Sequence, residues 1–189
     1  MPEGSEILAP SAKAPANTEM YTDANGNQPI PTPKAMTSED IEHTINEFVT
    51  AAKLAVEAGF DGIELHSANG YLLEQFINPG SNERTDQYGG SNENRARFVL
   101  EVAKRTAEAI AEEKVGIRLS PGGAFNDVNP FDGQEEAFTY LASELGKLGL
   151  AYLHLVDHSS MGTPEVPGSL KEKIRDAFGG TIFISGGYD

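Results

Sequence analysis

Apolar and polar positions divide the chain into an N-terminal stretch without a sustained period and a longer part that alternates between helix and strand. Residues 1–36 are rich in Pro, Gly, Asn and Ser, which is typical of loop or extended structure. From Thr37 onward, apolar residues recur at roughly helical spacing until Gly59. Thr37 with Asp40 fits a capping box in which Asp takes the usual place of Glu. The pattern predicts a helix that begins at Thr37 and ends at Gly59.

A short apolar strand follows this helix at residues 61–66. Its alternation places Glu64 and His66 on one side of the strand. The same order of helix and strand then repeats to the end of the chain. The further predicted helices are residues 95–113, 134–146 and 168–178, and the further predicted strands are residues 115–121, 150–157 and 181–187. Strands that alternate with helices indicate an α/β fold with a parallel sheet.

A long polar segment, residues 77–94, interrupts this repetition. Loops of such length inside a compact domain are usually functional or disordered. Arg84, Asp86 and Tyr88 lie within it. We expect these three side chains to form a local network that holds the loop, rather than to take part in catalysis.

Composition and charge argue against several classes of function. The chain has 189 residues with 14 basic and 29 acidic side chains, which gives a formal net charge of −15. This balance argues against non-specific nucleic-acid binding and against docking on anionic membranes. There is no Cys, so a thiol nucleophile or a thiolate metal site is excluded. A long apolar span and a signal-peptide pattern are both missing, so we expect a cytoplasmic protein.

Three polar side chains lie where the first predicted strand ends: His66, Asn69 and Tyr71. In an α/β barrel, chemistry takes place at this end of the strands. If the chain turns helically after the strand, His66 and Asn69 lie on one face and can donate to one acceptor atom. Tyr71 can then serve as a proton source for a substrate that gains negative charge. Each residue also has a structural interpretation, as a strand-end His, a turn Asn before Gly70 and a half-buried Tyr.

Arg118 interrupts the apolar strand at residues 115–121. A charge at such a position is costly unless it is paired. It is expected to pair with Glu64 on the neighbouring strand, or to bind an anionic or electron-rich ligand, and both can hold together. Of the two, we favour the interpretation that Arg118 binds a ligand.

Gly186 and Gly187 directly follow the last predicted strand. Backbone N–H groups of such a pair can approach a phosphate closely, although strand–Gly–Gly is also an ordinary turn. His154 and His158 lie near the preceding strand. Further ligands for a metal ion are missing around that His pair, so no metal site is predicted.

The segment HSANGYLLEQFINPGSNERTDQYGGSNENRARF closely resembles the Old Yellow Enzyme family of FMN-dependent ene-reductases, and the resemblance continues through GIRLSP, FND, LGLAYLHLVD and FISGGYD. It implies an FMN oxidoreductase that takes hydride from NADPH or NADH and reduces an alkene conjugated to a carbonyl or nitro group. In that family the residues matching His66 and Asn69 bind the substrate oxygen, and the one matching Tyr71 donates a proton. The residue matching Arg118 reaches the flavin, and those matching Gly186 and Gly187 help to hold its phosphate.

The resemblance also implies a fold: a partial TIM (β/α)8 barrel of about four βα units, equivalent to barrel strands four to seven. Residues 1–36 are then the loop after the third strand, and residues 37–189 are the half-barrel. A complete barrel has eight strands in about 250 residues. An open half-barrel exposes two strand edges. We therefore expect a truncated, split or engineered barrel that associates with itself or with a complementary half-barrel chain, or that repacks as a doubly wound sheet.

Two other functions compete with ene reduction. The chain can be a structural half-barrel that is active only when complemented. It can also be another phosphate-binding barrel, such as an aldolase or isomerase. Against a Schiff-base enzyme of that kind, no Lys lies at a strand end near the barrel mouth.

Overall fold

The computed structural model describes residues 6–16 and 18–186. The N-terminal part contains a short parallel pair, β1 (Leu8–Ala9) with β4 (Lys34–Ala35). Between them, β2 (Glu19–Thr22) and β3 (Gly26–Pro29) form an antiparallel hairpin. The sequence indicated only loop or extended structure here. The hairpin is mostly exposed, so its strands carry no alternation of apolar and polar residues from which they could be predicted.

The rest of the chain alternates between helix and strand, as the sequence predicted. In chain order the elements are α1 (Ser38–Glu57), β5 (Ile63–Ser67), α2 (Leu72–Ile77), α3 (Asn92–Ile110), β6 (Val115–Leu119), α4 (Gln134–Gly146), β7 (Tyr152–Val156), α5 (Gly168–Phe178) and β8 (Ile182–Ser185). Short 3-10 turns lie at Glu112–Lys114 and Ser159–Met161. None of the helices described is long and apolar enough to cross a membrane.

The first helix begins and ends where the sequence predicted. The Thr37 hydroxyl accepts the Asp40 N–H at 3.1 Å, and the Asp40 carboxylate accepts the Thr37 N–H at 2.9 Å. The predicted capping box is therefore present. At the other end, Gly59 adopts a φ of +98°, which stops the helix.

The main sheet has the strand order β5-β6-β7-β8, and all three pairings are parallel. The helices α1, α3, α4 and α5 pack against one another in the same order. Their apolar sides share one core with alternate residues of the strands, among them Leu65, Ile117 and Leu153. A sheet wound in one direction, with its core on the helix side, has the winding of a barrel segment. The doubly wound alternative is wrong, because that fold needs a reversal of strand order.

The other face of the sheet carries polar and aromatic side chains and is open. The strand register places His66, Arg118, His154 and Phe183 side by side across it. The exposed Glu64 and His66 alternate with the buried Leu65, so the predicted alternation of this strand is confirmed.

The polar segment after α2 is held by Arg84 and Asp86 as the sequence predicted, whereas Tyr88 contributes its backbone N–H and donates its hydroxyl to Glu101 at 3.0 Å. The Arg84 guanidinium pairs with Asp86 and donates to the backbone oxygens of Pro10, at 3.0 Å, and Met36, at 2.6 Å. The Asp86 carboxylate also accepts the Tyr88 N–H at 3.0 Å. Arg84 therefore fastens the N-terminal segment to the helical part of the chain.

Candidate active site

The chain leaves β5 through a tight turn, not through a helix. Asn69 and Gly70 both adopt the left-handed conformation, with φ values of +60° and +72°. The helix α2 begins only at Leu72. The helical turn that would place His66 and Asn69 on one face is therefore absent, and the interpretation of Asn69 as a turn residue before Gly70 fits the structure. Asn tolerates the left-handed region better than most residues do, and this allows a sharper change of direction directly after the strand.

Side chains satisfy the backbone of Asn69 on both sides. Its N–H donates to the Ser120 hydroxyl oxygen at 2.8 Å. Its carbonyl oxygen accepts from the Asn126 amide at 2.7 Å. Ser120 follows β6, and Asn126 lies in the loop beyond it. The β6–α4 loop thus fixes the backbone from which the Asn69 side chain extends.

Gly70 is held in the same way, from the other side of the turn. Its N–H donates to the Glu74 carboxylate at 2.6 Å, and its carbonyl oxygen accepts from the Gln75 amide at 2.8 Å. A Cβ on Gly70 would lie 2.3 Å from the Phe125 carbonyl oxygen. The position therefore requires glycine both for its conformation and for the close approach of the β6–α4 loop.

The Asn69 side chain contacts His158, a residue that the sequence had set aside. The distance from His158 Nε2 to Asn69 Oδ1 is 2.8 Å. The imidazole packs edge-on against Phe125, with ring centroids 4.5 Å apart. When Nε2 carries the proton, it donates to Oδ1 and leaves the Asn69 Nδ2 hydrogens for another acceptor. His158 follows β7 at the same edge of the sheet as Asn69. This position after a strand was the one signal by which the sequence could have identified it as a site residue.

His66 and Tyr71 lie against each other at this edge. Their ring centroids are 5.3 Å apart and the planes are tilted by 49°. Tyr71 is 53% exposed, so its ring is available to a ligand. The three residues that the sequence selected therefore lie on a single strand end and the turn that follows it.

Burial and the charge of Arg118 together set the protonation state of the two histidines. Burial and the positive charge of Arg118 both lower the pKa of His66 below its usual value. The same two causes, in the same order, lower the pKa of His158. Both imidazoles are therefore neutral near neutral pH, and each offers one N–H donor and one acceptor nitrogen.

Arg118 does not pair with Glu64, and that expectation is wrong. Glu64 instead contacts His154 Nδ1 at 3.0 Å, and His154 Nε2 contacts the Ser185 hydroxyl at 2.8 Å. The Arg118 Nε is buried and has no hydrogen-bond partner among the residues described. An unmatched buried N–H is costly, so this guanidinium fits a ligand that supplies an acceptor.

The end of β8 offers a different kind of structure. Gly186 has a φ of +76°, and a Cβ there would lie 1.9 Å from the Asp157 carbonyl oxygen. Glycine therefore lets the ends of β7 and β8 approach each other. Gly187 lies outside the described residues. A phosphate-binding role for the two glycines stays a prediction.

Asp157 anchors the loop after β7 and was not selected from the sequence. Its carboxylate accepts the N–H groups of Ser159, at 2.9 Å, and Val166, at 3.2 Å, and it pairs with Lys171 at 2.8 Å. Burial alone would raise the pKa of Asp157, but Lys171 and the N–H donors outweigh it and lower the pKa to about 2. The anchored loop carries His158.

Glu74 is a second buried carboxyl that the sequence did not reveal. Its residue is 3% exposed, and it accepts from the Ser120 hydroxyl at 2.8 Å as well as from Gly70. Burial raises the pKa of Glu74 to about 7, although both hydrogen bonds act in the opposite direction. The one signal that could have identified Glu74 from the sequence was the presence of an acidic residue within the apolar run of α2.

A cavity of about 210 Å³ lies between the turn and the N-terminal segment. Its lining is mainly apolar and includes Tyr71, Gly70, Met20, Ile30 and Asn126. Largely apolar cavities with a few polar groups are typical of small-molecule sites. The exposed Tyr71 thus lies at the boundary between this space and the open face of the sheet.

Comparisons with known proteins agree with this geometry. The model of the NADH:flavin oxidoreductase / NADH oxidase family matches residues 3–188. A putative 12-oxophytodienoate reductase 11 of Oryza sativa subsp. japonica is 43% identical over 162 residues, which are 84% of this chain and 43% of that protein. A probable flavin mononucleotide-dependent alkene reductase of Leishmania infantum is 44% identical over 82% of this chain and 43% of its own length.

Solved structures give the same result. Morphinone reductase superposes with a TM-score of 0.92 at 39% identity, over 100% of this chain and 51% of that chain. Morphinone reductase has also been solved in complex with tetrahydroNAD. The four parallel strands therefore correspond to part of a TIM barrel, and the chain spans about half the length of the relatives it matches.

Proposed function

Since this chain belongs to the NADH:flavin oxidoreductase / NADH oxidase family, we propose that it carries the substrate-binding and proton-donating part of an FMN-dependent ene-reductase site. The substrate is a small alkene conjugated to a carbonyl or nitro group, and NADPH or NADH supplies hydride. When bound, FMN carries that hydride to the alkene β-carbon. The observation that carries the proposal is the turn after β5, which holds Asn69 between His66 and Tyr71.

His66 and Asn69 bind the substrate oxygen as negative charge develops on it. Both side chains are neutral donors, because burial and Arg118 lower the pKa of His66 and the amide carries no charge. The turn is already hydrogen-bonded on all sides, so it needs little reorganisation when charge appears. Prearranged donors of this kind lower a barrier because they stabilise the transition state more than the ground state.

Tyr71 donates the proton that completes the reaction. In this proposal its hydroxyl protonates the α-carbon on the face opposite to hydride delivery. The exposure of the ring and the adjacent cavity support this role, because an alkene can reach the hydroxyl without unpacking the core. General acid catalysis by a positioned side chain contributes roughly 10² to 10⁴ in rate.

Arg118 and Gly186 form the cofactor side. The unmatched guanidinium N–H of Arg118 fits the electron-rich pyrimidine edge of a flavin. Gly186 leaves room for backbone N–H groups to approach a phosphate, and Gly187 would extend that approach. These two assignments require no metal ion.

Family membership excludes the alternative that the chain is part of an aldolase or isomerase. A cytoplasmic location is part of the proposal, as is association with a second copy or with a complementary half-barrel chain. The competing idea, a structural half-barrel that is active only when complemented, is tested on the chain alone, by whether it retains FMN and reduces that FMN with NADPH.

The test uses a complete barrel, made by joining this chain to the other half of a relative such as morphinone reductase. In that barrel, Tyr71→Phe should slow alkene reduction by roughly a hundredfold or more while sparing flavin reduction by NADPH. Stopped-flow absorbance separates the two half-reactions. Tyr21→Phe, on the exposed hairpin, is the matched control and should leave both rates unchanged. If Tyr71→Phe also leaves both rates unchanged, the proton-donor role is wrong.

A further inference from the structure

Glu74 is buried directly beneath the turn that carries the proposed site residues. Its two carboxylate oxygens have separate partners: Oε2 accepts the Gly70 N–H at 2.6 Å, and Oε1 accepts the Ser120 hydroxyl at 2.8 Å. Ser120 in turn accepts the Asn69 N–H at 2.8 Å. A single carboxylate therefore holds two consecutive backbone N–H groups of the turn, one directly and one through a hydroxyl.

We propose that Glu74 is a positioning residue for the active site, and that its carboxylate, with Ser120, sets the direction in which Asn69 and Tyr71 present their polar atoms. This inference rests on the proposed function only where it concerns the reaction. The contact between Glu74 and the turn is a property of the chain itself.

The protonation state of Glu74 changes this network. With an ionised carboxylate, the Asn69 N–H donates to Ser120, and the Ser120 O–H donates to Glu74, so every donor has an acceptor. A proton on Oε1 reverses the second hydrogen bond, and the Ser120 hydroxyl hydrogen is then left without an acceptor in the buried network. Leaving a buried donor unmatched is unfavourable. The ionised form therefore holds the turn more firmly than the protonated form.

Other charged or titratable groups lie on the elements around Glu74. They are His66 on β5, Arg95 on α3, Arg118 on β6, Asp127 in the β6–α4 loop and His158 after β7. Arg95 is engaged with the Ile77 carbonyl oxygen at 2.7 Å, and Asp127 accepts the Ala16 N–H at 2.8 Å. The two histidines have lowered pKa values, so they titrate at lower pH than Glu74 does.

The first measurement is a pH titration of the 189-residue chain by NMR, which needs no variant. We expect the Glu74 side-chain carboxyl carbon and the Gly70 and Asn69 amide protons to shift together. The common midpoint should be near the value of about 7 to which burial raises the pKa of Glu74. The Gly70 amide proton should move upfield as pH falls, because its acceptor loses charge.

Glu74→Gln separates Glu74 from the histidines. The Gln amide oxygen can still accept from Gly70 and its NH2 can donate to Ser120, so the variant imitates the protonated state at every pH. We expect the titration of Gly70 and Asn69 near pH 7 to disappear. The matched control is Glu101→Gln, since Glu101 also accepts from a hydroxyl, that of Tyr88 at 3.0 Å, but away from the turn. That variant should retain the titration.

Ser120→Ala provides a second, independent variant. It removes the hydroxyl between Glu74 and Asn69 and leaves the direct contact with Gly70. The Asn69 amide should then lose its titration while Gly70 keeps it. The proposal is overturned if the Glu74 carboxyl carbon titrates and neither amide follows it, or if both amides still titrate near pH 7 in Glu74→Gln.

A kinetic measurement connects the turn to the reaction. In the complete barrel, Glu74→Gln should lower kcat for alkene reduction roughly tenfold at high pH and flatten its pH profile, with flavin reduction unchanged. A parent profile without a limb near the Glu74 pKa would overturn the link to catalysis. If no alkene is reduced at all, the proposed function fails, whereas the NMR result still decides whether Glu74 positions the turn.

Discussion

The end of β5 and the end of β8 both lie at the same edge of the sheet, but they are built differently. After β5, the backbone groups of Asn69 and Gly70 each have a side-chain partner drawn from α2 or the β6–α4 loop. After β8, Gly186 is exposed, and its main structural feature is the close approach to Asp157.

The ends of β5 and β8 therefore represent two ways of forming a binding site. The β5 turn fixes donors in advance, so binding energy is not spent on ordering them. The β8 end provides space and exposed backbone groups. A bound group has to order much of this region when it binds. The proposed substrate-oxygen side is therefore largely formed by contacts within this chain, whereas the proposed cofactor side gains less from them. Three experiments probe this contrast.

The largest expected effect is on the β5 side. Replacing His66 and Asn69 together with Ala in the complete barrel should weaken the binding of a phenol-type ligand roughly a thousandfold. Two hydrogen bonds to a charged oxygen are lost, and each contributes about 1.5–3 kcal/mol. Calorimetric titration measures the affinity. His43→Ala, on the exposed face of α1, is the control. Unchanged affinity in the double variant would remove both residues from the oxygen site.

The second effect is the loss of folding stability that the buried Glu74 carboxyl causes as the pH rises. Burial raises the pKa of Glu74 from 4.5 to about 7, so the folded state binds more protons than the unfolded state between these values. The resulting stability is fully present below about pH 4.5 and is lost as pH rises through about 7. The loss is on the order of 3 kcal/mol.

Urea unfolding of the chain and of Glu74→Gln, at about pH 5 and about pH 8, measures this loss as the difference between the two proteins. The lowered pKa values of His66 and His158 act in the opposite direction, but they are common to both proteins and cancel. Equal pH dependence of the two proteins would show that Glu74 does not titrate in this range.

The smallest effect is expected on the cofactor side. Arg118→Met should weaken FMN binding roughly tenfold, because one charge-assisted contact is lost among several backbone contacts. Visible absorbance after addition of FMN and removal of the excess reports retention. Arg105→Met, which disrupts an exposed pair with Glu42 on the far side of the helices, is the control. If Arg118→Met retains as much flavin as the parent, Arg118 is not a flavin contact.

A colourless parent chain would sharpen the comparison in another way. It would mean that the β5 turn forms without a working cofactor side, and the Arg118 variant would then be compared within the complete barrel. A flavin spectrum that bleaches with NADPH would mean that this chain assembles a working pocket by pairing with itself.

Much of the fold could be predicted from local pattern. The helix α1, its capping box and the alternation of β5 depend on residues a few positions apart, and such contacts can be read from spacing. The trio of His66, Asn69 and Tyr71 was also selected from the sequence, since its members lie within six residues at one strand end. Their roles as hydrogen-bond donors and proton source were suggested by residue type and position, and the resemblance to a family added the substrate oxygen and the alkene.

The residues that hold this trio could not be predicted in the same way. Ser120 lies 51 residues from Asn69, and His158 lies 89 residues from it. Glu74 is close in sequence, but its second partner is 46 residues away. The expected pairing of Arg118 with Glu64 failed because β7 places His154 within 3.0 Å of that carboxylate.

After residue 36, the sequence by itself determined most of the helices and strands and which polar residues reach the edge of the sheet, because hydrophobic periodicity acts over one or two turns of chain. Only the tertiary structure decided the partners that hold the turn, the neutral state of the histidines and the burial of Glu74. Those properties depend on which distant groups share a low-dielectric space, and that is fixed by the parallel register of β5, β6 and β7.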